Sequence, residues 1–349
     1  MMRPRPRVVH CIQTGGDSVN DYRGSLRSRT GHLVHLSIDQ CPDHPFPLLL
    51  PRTVKGYGFT EKRWVDLEVD RISDTQWNTQ VFESLVLEEP TKDLLEALLK
   101  SPLSLEASTD LIPGKGDGLV ILLHGGPGTG KTFTAEGLAD YARRPLLRIT
   151  CGDIGTKPVD VERYLEKMLR LGRTWGCVIL LDEADVFLKE RTLSDLERNA
   201  LVSVFLRVLE HFDGILILAS TRVGHFDEAF RSRIRLALHY QSPGPEQRHQ
   251  IWSNLFKHLR TLEDCSMDFD DLVLHINDLS TYEMNGRQIR NAITTARQLA
   301  ELKKKRLNYG FIKKVIATTG QFDRYLQGIF FSPDYIVAPT CEKCESSFV

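Results

Sequence analysis

Residues 125–132 read Gly125-Gly126-Pro127-Gly128-Thr129-Gly130-Lys131-Thr132, a GxxxxGK[ST] pattern in which glycines lead to a lysine and a hydroxyl. Glycines let the backbone wrap closely so that its N–H groups converge on phosphate oxygens, and the helix expected to follow adds its positive dipole end. Gly126, Pro127, Gly128, Thr129 and Gly130 are therefore the candidate cradle, in which Pro127 stiffens the loop without donating. Lys131 would neutralise the β and γ phosphates of ATP, and Thr132 would offer its hydroxyl to Mg²⁺. A second group follows the apolar run 177–181, where Asp182-Glu183 stand at the carboxyl end of an expected buried strand. Open α/β sheets bind ligands there. Asp182 suits a cation held through its water shell, and Glu183 suits the base that polarises an attacking water.

Loop and acids work only if a framework brings them to the same end of a sheet. From about residue 112, short apolar runs alternate with amphipathic stretches, which predicts a mostly parallel sheet with helices on both faces. The expected strands are 119–123, 146–149, 177–181, 215–219 and 234–240. Leu201, Val204, Phe205, Val208, Leu209 and Phe212 recur at helical spacing between the third and fourth. After the turn-prone Ser242-Pro243-Gly244-Pro245, stripes through Trp252 and Phe256 and through Ile289, Ala292, Ile293 and Ala296 predict a small helical domain. Upstream, Val65, Leu67 and Val69 alternate with acids, as a half-buried strand does, and a helix with Thr91 as N-cap carries Leu94, Leu95, Leu98 and Leu99 on one face. Residues before Arg63 read as irregular. The expected division is an N-terminal region over 1–110, an α/β domain over 111–241, a helical lid over 242–318 and a tail over 319–349.

Four segments in order, Gly125 to Thr132, Leu181-Asp182-Glu183-Ala184-Asp185, Phe226 to Arg233, and Gly286-Arg287-Gln288-Ile289-Arg290-Asn291, resemble the AAA+ ATPases. The resemblance covers roughly residues 55 to 315 and is strongest to uncharacterised fungal AAA ATPases, in which such a core follows a segment similar to Lys55-Gly56-Tyr57-Gly58-Phe59. It implies a P-loop NTPase fold with a five-stranded, mostly parallel sheet between helices and a helical lid. It also implies that Arg233 is the arginine finger reaching the next subunit's ATP, with Arg231 a second candidate. Arg287 then matches the sensor-2 arginine that touches the γ-phosphate. Thr221 stands where the family usually has an asparagine that positions water, and its hydroxyl reaches less far than an amide, so slow hydrolysis is expected. The stretch 152–158 lacks the aromatic residue with which many such proteins grip a threaded polypeptide.

Composition narrows the partners. A net charge of -1 supplies no global field to attract nucleic acid, and no apolar run approaches the roughly 20 residues of a membrane span. Seven cysteines without framework spacing fit reduced thiols inside a cell, and Cys341 with Cys344 reads as a thiol-bearing tail rather than half a metal site. Arg3, Arg5 and Arg7 suggest organelle import, which Pro4 and Pro6 oppose, so a cytoplasmic or nuclear compartment is favoured over a mitochondrial one. Together these readings describe a Mg²⁺-dependent ATP hydrolase that forms a homo-oligomer, a hexamer by analogy, and remodels a protein partner. The alternative is an ATP-gated binding or scaffold module that hydrolyses slowly or not at all; nucleic-acid remodelling would need stimulation by DNA or RNA.

Overall fold

The computed structural model describes residues 52–100, 118–155, 157–188, 195–221, 228–261 and 266–330. The readings at 1–51, at Arg222, Phe226 and Asp227, and at Cys341 and Cys344 lie outside them. By contacts the described chain forms two compact units, one of residues 52–85, 89–124 and 132–238, the other of 86–88, 125–131 and 239–330.

The first unit opens with a hairpin, β1 (Thr53–Gly58) antiparallel to β2 (Arg63–Glu68), with Tyr57 opposite Trp64. Thr53–Gly58 falls within the stretch expected to be irregular; Gly56 and Gly58 interrupt its side-chain pattern, and the strand becomes apparent only against its partner. Tyr57, Phe59 and Trp64 pack around Trp175 with ring centroids 5.3 to 6.0 Å from it, so the hairpin is anchored by aromatic contact. Beyond α1 (Gln80–Glu83) comes α2 (Glu89–Lys100). Pro90 enters its first turn and Thr91 lies inside it, so the helix starts two residues before the expected cap. Of the four leucines assigned to one face, Leu95 and Leu99 are buried but Leu94 is exposed.

The central sheet contains β3 (Leu119–Gly125), β4 (Leu146–Thr150), β5 (Val178–Asp182), β6 (Ile215–Ser220) and β7 (Leu236–Tyr240), in the order β4-β5-β6-β3-β7. The β4–β5, β5–β6 and β3–β6 pairings are parallel. β3, β5 and β6 are apolar on both faces because helices cover both, as the alternation of strand and helix demanded. Those helices are α3 (Lys131–Tyr141), α4 (Cys151–Ile154), α5 (Pro158–Thr174), α6 (Asp185–Leu188), α7 (Leu196–Glu210) and α8 (Glu228–Arg231). Asp195 caps α7 by accepting the Arg198 N–H at 3.0 Å, and Phe205 of α7 packs against Phe187 and Phe230 in the core with its ring tilted to both. Phe212, read as the last residue of that helix's stripe, lies two residues past its end yet is still buried.

The second unit is a helical cluster of α9 (Pro245–Thr261), α10 (Phe269–Leu274), α11 (Ile276–Thr281), α12 (Gly286–Leu302) and α13 (Tyr309–Phe330). Its core takes Trp252 and Phe256 from α9 and Ile289, Ala292, Ile293, Ala296 and Ala300 from α12, the two stripes expected from spacing. Arg248, nearly buried, donates to the carbonyls of Ser280 (2.7 Å) and Pro243 (2.8 Å), so its charge ties α9 to a turn and to α11. Trp252 is fully buried, and its indole N–H finds no partner among the described residues. Trp252→Ala should therefore destabilise this unit by about 3–5 kcal/mol in urea unfolding. Trp252→Phe removes the same donor but retains a ring, and should cost at least about 1 kcal/mol less than the alanine variant; equal losses would mean that ring packing at this position contributes nothing.

Candidate functional site

The phosphate-binding motif spans the end of β3, the turn after it and the first residues of α3. Gly128 and Gly130 adopt φ of +73° and +107°, a region that side chains disfavour. A Cβ on Gly128 would fall 2.7 Å from the amide oxygen of Asn285, whereas one on Gly130 would meet nothing within 4 Å. The loop is thus close-packed on one side and has room at Gly130, the arrangement a phosphate cradle requires. Thr129 closes the turn by donating its hydroxyl to the Gly126 carbonyl at 2.8 Å. The Lys131 ammonium is buried and donates to the carbonyls of Gly125 (2.7 Å) and Gly126 (2.6 Å), so the loop holds a desolvated positive charge within itself.

Asn285, the N-cap of α12, forms a reciprocal capping box with Gln288 at 2.9 Å in each direction. Its amide also donates to the Pro127 carbonyl at 3.4 Å, and the Arg287 backbone N–H donates to the Gly128 carbonyl at 3.3 Å. Arg287 therefore lies beside the loop through its backbone, and its side chain is exposed. The family resemblance singled out Arg287 but not Asn285, although the Asn-x-x-Gln pattern ahead of an apolar stripe is a legible helix start.

Within the first unit, Thr132 lies 3.4 Å, hydroxyl to carboxylate, from Asp182 at the end of β5. Asp182 Oδ1 accepts the Glu183 N–H at 3.1 Å, and Oδ2 also accepts Arg148 Nη2 at 2.6 Å. Glu183 is exposed and sits in the left-handed region, φ 57°, where a non-glycine residue costs about 1–2 kcal/mol. Two contacts hold that turn: Cys151 donates its thiol hydrogen to the Glu183 carbonyl at 2.8 Å, and the Ala184 N–H bonds the Ala219 carbonyl at 2.9 Å.

Asp185 then gathers the end of β6. Ser220 donates to its Oδ1, and Thr221 donates to its Oδ2 at 3.3 Å. The Thr221 hydroxyl is thereby fixed on the same acidic turn as Glu183. Arg233 Nη1 donates to the Ala229 carbonyl at 2.9 Å and its other nitrogen lies 3.6 Å from Glu210, while Arg231 is exposed at the end of α8. Arg148, Cys151 and Asp185 were not singled out from sequence. Asp185 had a signal in the Asp-Glu-Ala-Asp run, whereas Arg148 and Cys151 had none, because only strand register brings them to Asp182 and Glu183.

Residues 121–242 match the model of the ATPase family associated with various cellular activities (AAA), and residues 244–330 match the fungal AAA+ ATPase lid domain. This chain carries an AAA ATPase domain. Human ATPase family AAA domain-containing proteins 3B and 3C are 32% and 33% identical to it over 174 residues, 46% of the chain and 27% and 42% of those proteins. A Methanothermobacter marburgensis protein named as a homologue of a 26S proteasome regulatory subunit is 29% identical over 185 residues, 50% of the chain and 49% of that protein. The chain thus spans under half the length of each of these relatives. The five-stranded sheet and following helices are the AAA arrangement, and the domain's chemistry is ATP binding and hydrolysis. Among the described residues no helix is long and apolar enough to cross a membrane.

The acidic turn makes a test of its own. Burial, then the negative charges of Glu183, Asp185 and Asp182, push the Cys151 thiol up to about 11, so it stays protonated and able to donate at neutral pH. Alkylation of Cys151 at pH 8, followed by peptide mass spectrometry, should run roughly a hundredfold slower than that of a free cysteine. A rate like the free amino acid's would remove the thiol from this hydrogen bond.

Proposed function

We propose that this chain binds Mg·ATP through Gly126, Pro127, Gly128, Thr129, Gly130, Lys131, Thr132 and Asp182 and hydrolyses it with Glu183 as the base. The observation that carries the reading is the approach of the Thr132 hydroxyl to the Asp182 carboxylate beside an exposed Glu183. Two hard oxygen donors suit Mg²⁺, which keeps several waters and completes its shell with substrate phosphates. Mg²⁺ held there would neutralise charge developing on the phosphates. Lys131 supplies a fixed charge to the same oxygens, the loop amides orient them, and Glu183 accepts a hydrogen bond from the attacking water.

Arg233 is proposed to complete a neighbour's site in a homo-oligomer of about six subunits, a number taken by analogy with related ATPases. Its guanidinium is half-buried, donating to the Ala229 carbonyl, and its pair with Glu210 is long at 3.6 Å, so that second contact can be exchanged at little cost. Residues 111–241 act as the ATPase domain, 242–318 as its lid, 1–110 as the partner-facing region and 319–349 as a tail. Arg287 senses the γ-phosphate. The work done is remodelling of a protein partner, in the cytoplasm or nucleus. A second reading, slow hydrolysis with ATP gating a scaffold, draws on Thr221, whose one donor is spent on Asp185.

Lys131→Ala should abolish nucleotide binding in calorimetry, since the buried charge of the loop is lost. Glu183→Gln should keep binding but lower phosphate release by about 10²–10⁴-fold, and equal turnover would move the base elsewhere. A parent chain that binds ATP tightly yet releases almost no phosphate would favour the scaffold reading.

A separate mixing experiment addresses the shared site. Arg233→Ala alone should bind ATP and not turn it over, and mixing it with Glu183→Gln should restore part of the activity, because some interfaces then pair an intact Glu183 with an intact Arg233. Mixed assemblies as inactive as their components would show a site completed within one chain.

A further inference from the structure

Arg148 is the middle residue of β4, paired in register with Leu180. Parallel pairing puts it on the sheet face that Leu180 shares with Asp182 two residues along β5. The guanidinium uses that placement, with Nη2 2.6 Å from Asp182 Oδ2. The same oxygen receives the Thr132 hydroxyl at 3.4 Å, and Oδ1 receives the Glu183 N–H at 3.1 Å. Both oxygens of the carboxylate are therefore engaged by the chain's own donors. The oxygen that a hard cation would share with Thr132 is the one that carries the arginine.

The two ends of this ion pair are unequal. The Asp182 side chain is 15% exposed and that of Arg148 is 50% exposed, so the acid is held in place while the guanidinium is free to exchange into water. An arginine keeps its charge at every physiological pH, so a divalent ion approaching Asp182 meets a like charge. A half-exposed pair is weak enough for a doubly charged ion to displace it. Among the contacts described, Arg148 has no other ion pair.

We propose that Arg148 is a resident counter-cation of Asp182 that competes with the divalent ion and so sets how much Mg²⁺ the nucleotide site requires. This rests on the reading of Asp182 as the metal-side acid. Arg148 acts through Asp182 as a positioning residue: it keeps the carboxylate paired and oriented between rounds of cation binding, and it raises the cation concentration at which the site fills.

The test is binding, not turnover. Methylanthraniloyl-ATP fluorescence is titrated with Mg²⁺ in the purified 349-residue chain and in its variants, each checked by circular dichroism. Arg148→Met should lower the Mg²⁺ midpoint roughly two- to fivefold, the scale of an exposed ion pair. Arg148→Lys keeps the charge and should stay within about twofold of the parent. Should the methionine perturb the strand, Arg148→Gln, uncharged but polar, should reproduce the fall. An unchanged or higher midpoint in the uncharged variants overturns the proposal, as does an equal fall in Arg148→Lys. Asp182→Asn separates this inference from the reading beneath it: a raised midpoint there with no effect at Arg148 refutes the competition alone, whereas an unmoved midpoint removes Asp182 from the metal site.

Discussion

The parallel pairing of β5 with β4 on one side and β6 on the other is the constraint on which the acidic half of the site depends. Register places Thr150 level with Asp182 and Leu181 level with Leu218, so all three strands end near the same height. Each strand end then contributes a polar group where its apolar run stops. β4 ends in Thr150, whose hydroxyl and N–H both bond Asp153 to start α4, at 2.6 and 2.8 Å. β5 ends in Asp182 and β6 in Ser220. A slip of one residue in β5 would turn Asp182 to the opposite face and replace it with buried Leu181. The leucines and isoleucines of these strands, nearly all without exposure, make that slip expensive.

The same constraint explains what could be read from the chain without coordinates. The loop 125–132 was legible because phosphate binding demands particular residue types at particular spacing within one short stretch. Asp182 and Glu183 were legible because an apolar run stops abruptly at two acids. Arg148 was not, since nothing near it in sequence says that β4 lies beside β5 or that residue 148 is level with residue 180. The strand Thr53–Gly58 was missed for a related reason, its two glycines leaving too few side chains to show alternation. Helix α2 was found, but its face was misjudged at Leu94, because four leucines in two adjacent pairs exceed the arc that packing covers.

Three carboxylates within four residues, at 182, 183 and 185, create a local excess of negative charge that the fold has to manage. It does so with different partners for each. Asp182 takes the guanidinium and two further donors, and Asp185 takes two hydroxyls. Glu183 stays exposed, and only its backbone is constrained: its N–H bonds Asp182, its carbonyl accepts the Cys151 thiol, and the neighbouring Ala184 N–H bonds the Ala219 carbonyl of β6. The division is chemically sensible. In the proposed roles, a cation ligand and a strap to the next strand need fixed geometry, whereas a base needs an accessible lone pair and a fixed point of attachment.

Left-handed backbone at Glu183 follows from the same demand. An ordinary helical or extended turn after Asp182 would carry the chain on in the strand direction or curl it back over the sheet, and Asp185 could not then reach both Ser220 and Thr221. Reversing φ at residue 183 lets the chain turn within a single residue, so that Ala184 meets β6 immediately and α6 begins at Asp185. Glycine would adopt that backbone at no steric cost, but it has no carboxylate. Strain of about 1–2 kcal/mol is therefore tolerated at this residue, in keeping with the role proposed for its carboxylate. The hydrogen bonds from Cys151 and Ala184 are the compensation that keeps the turn closed.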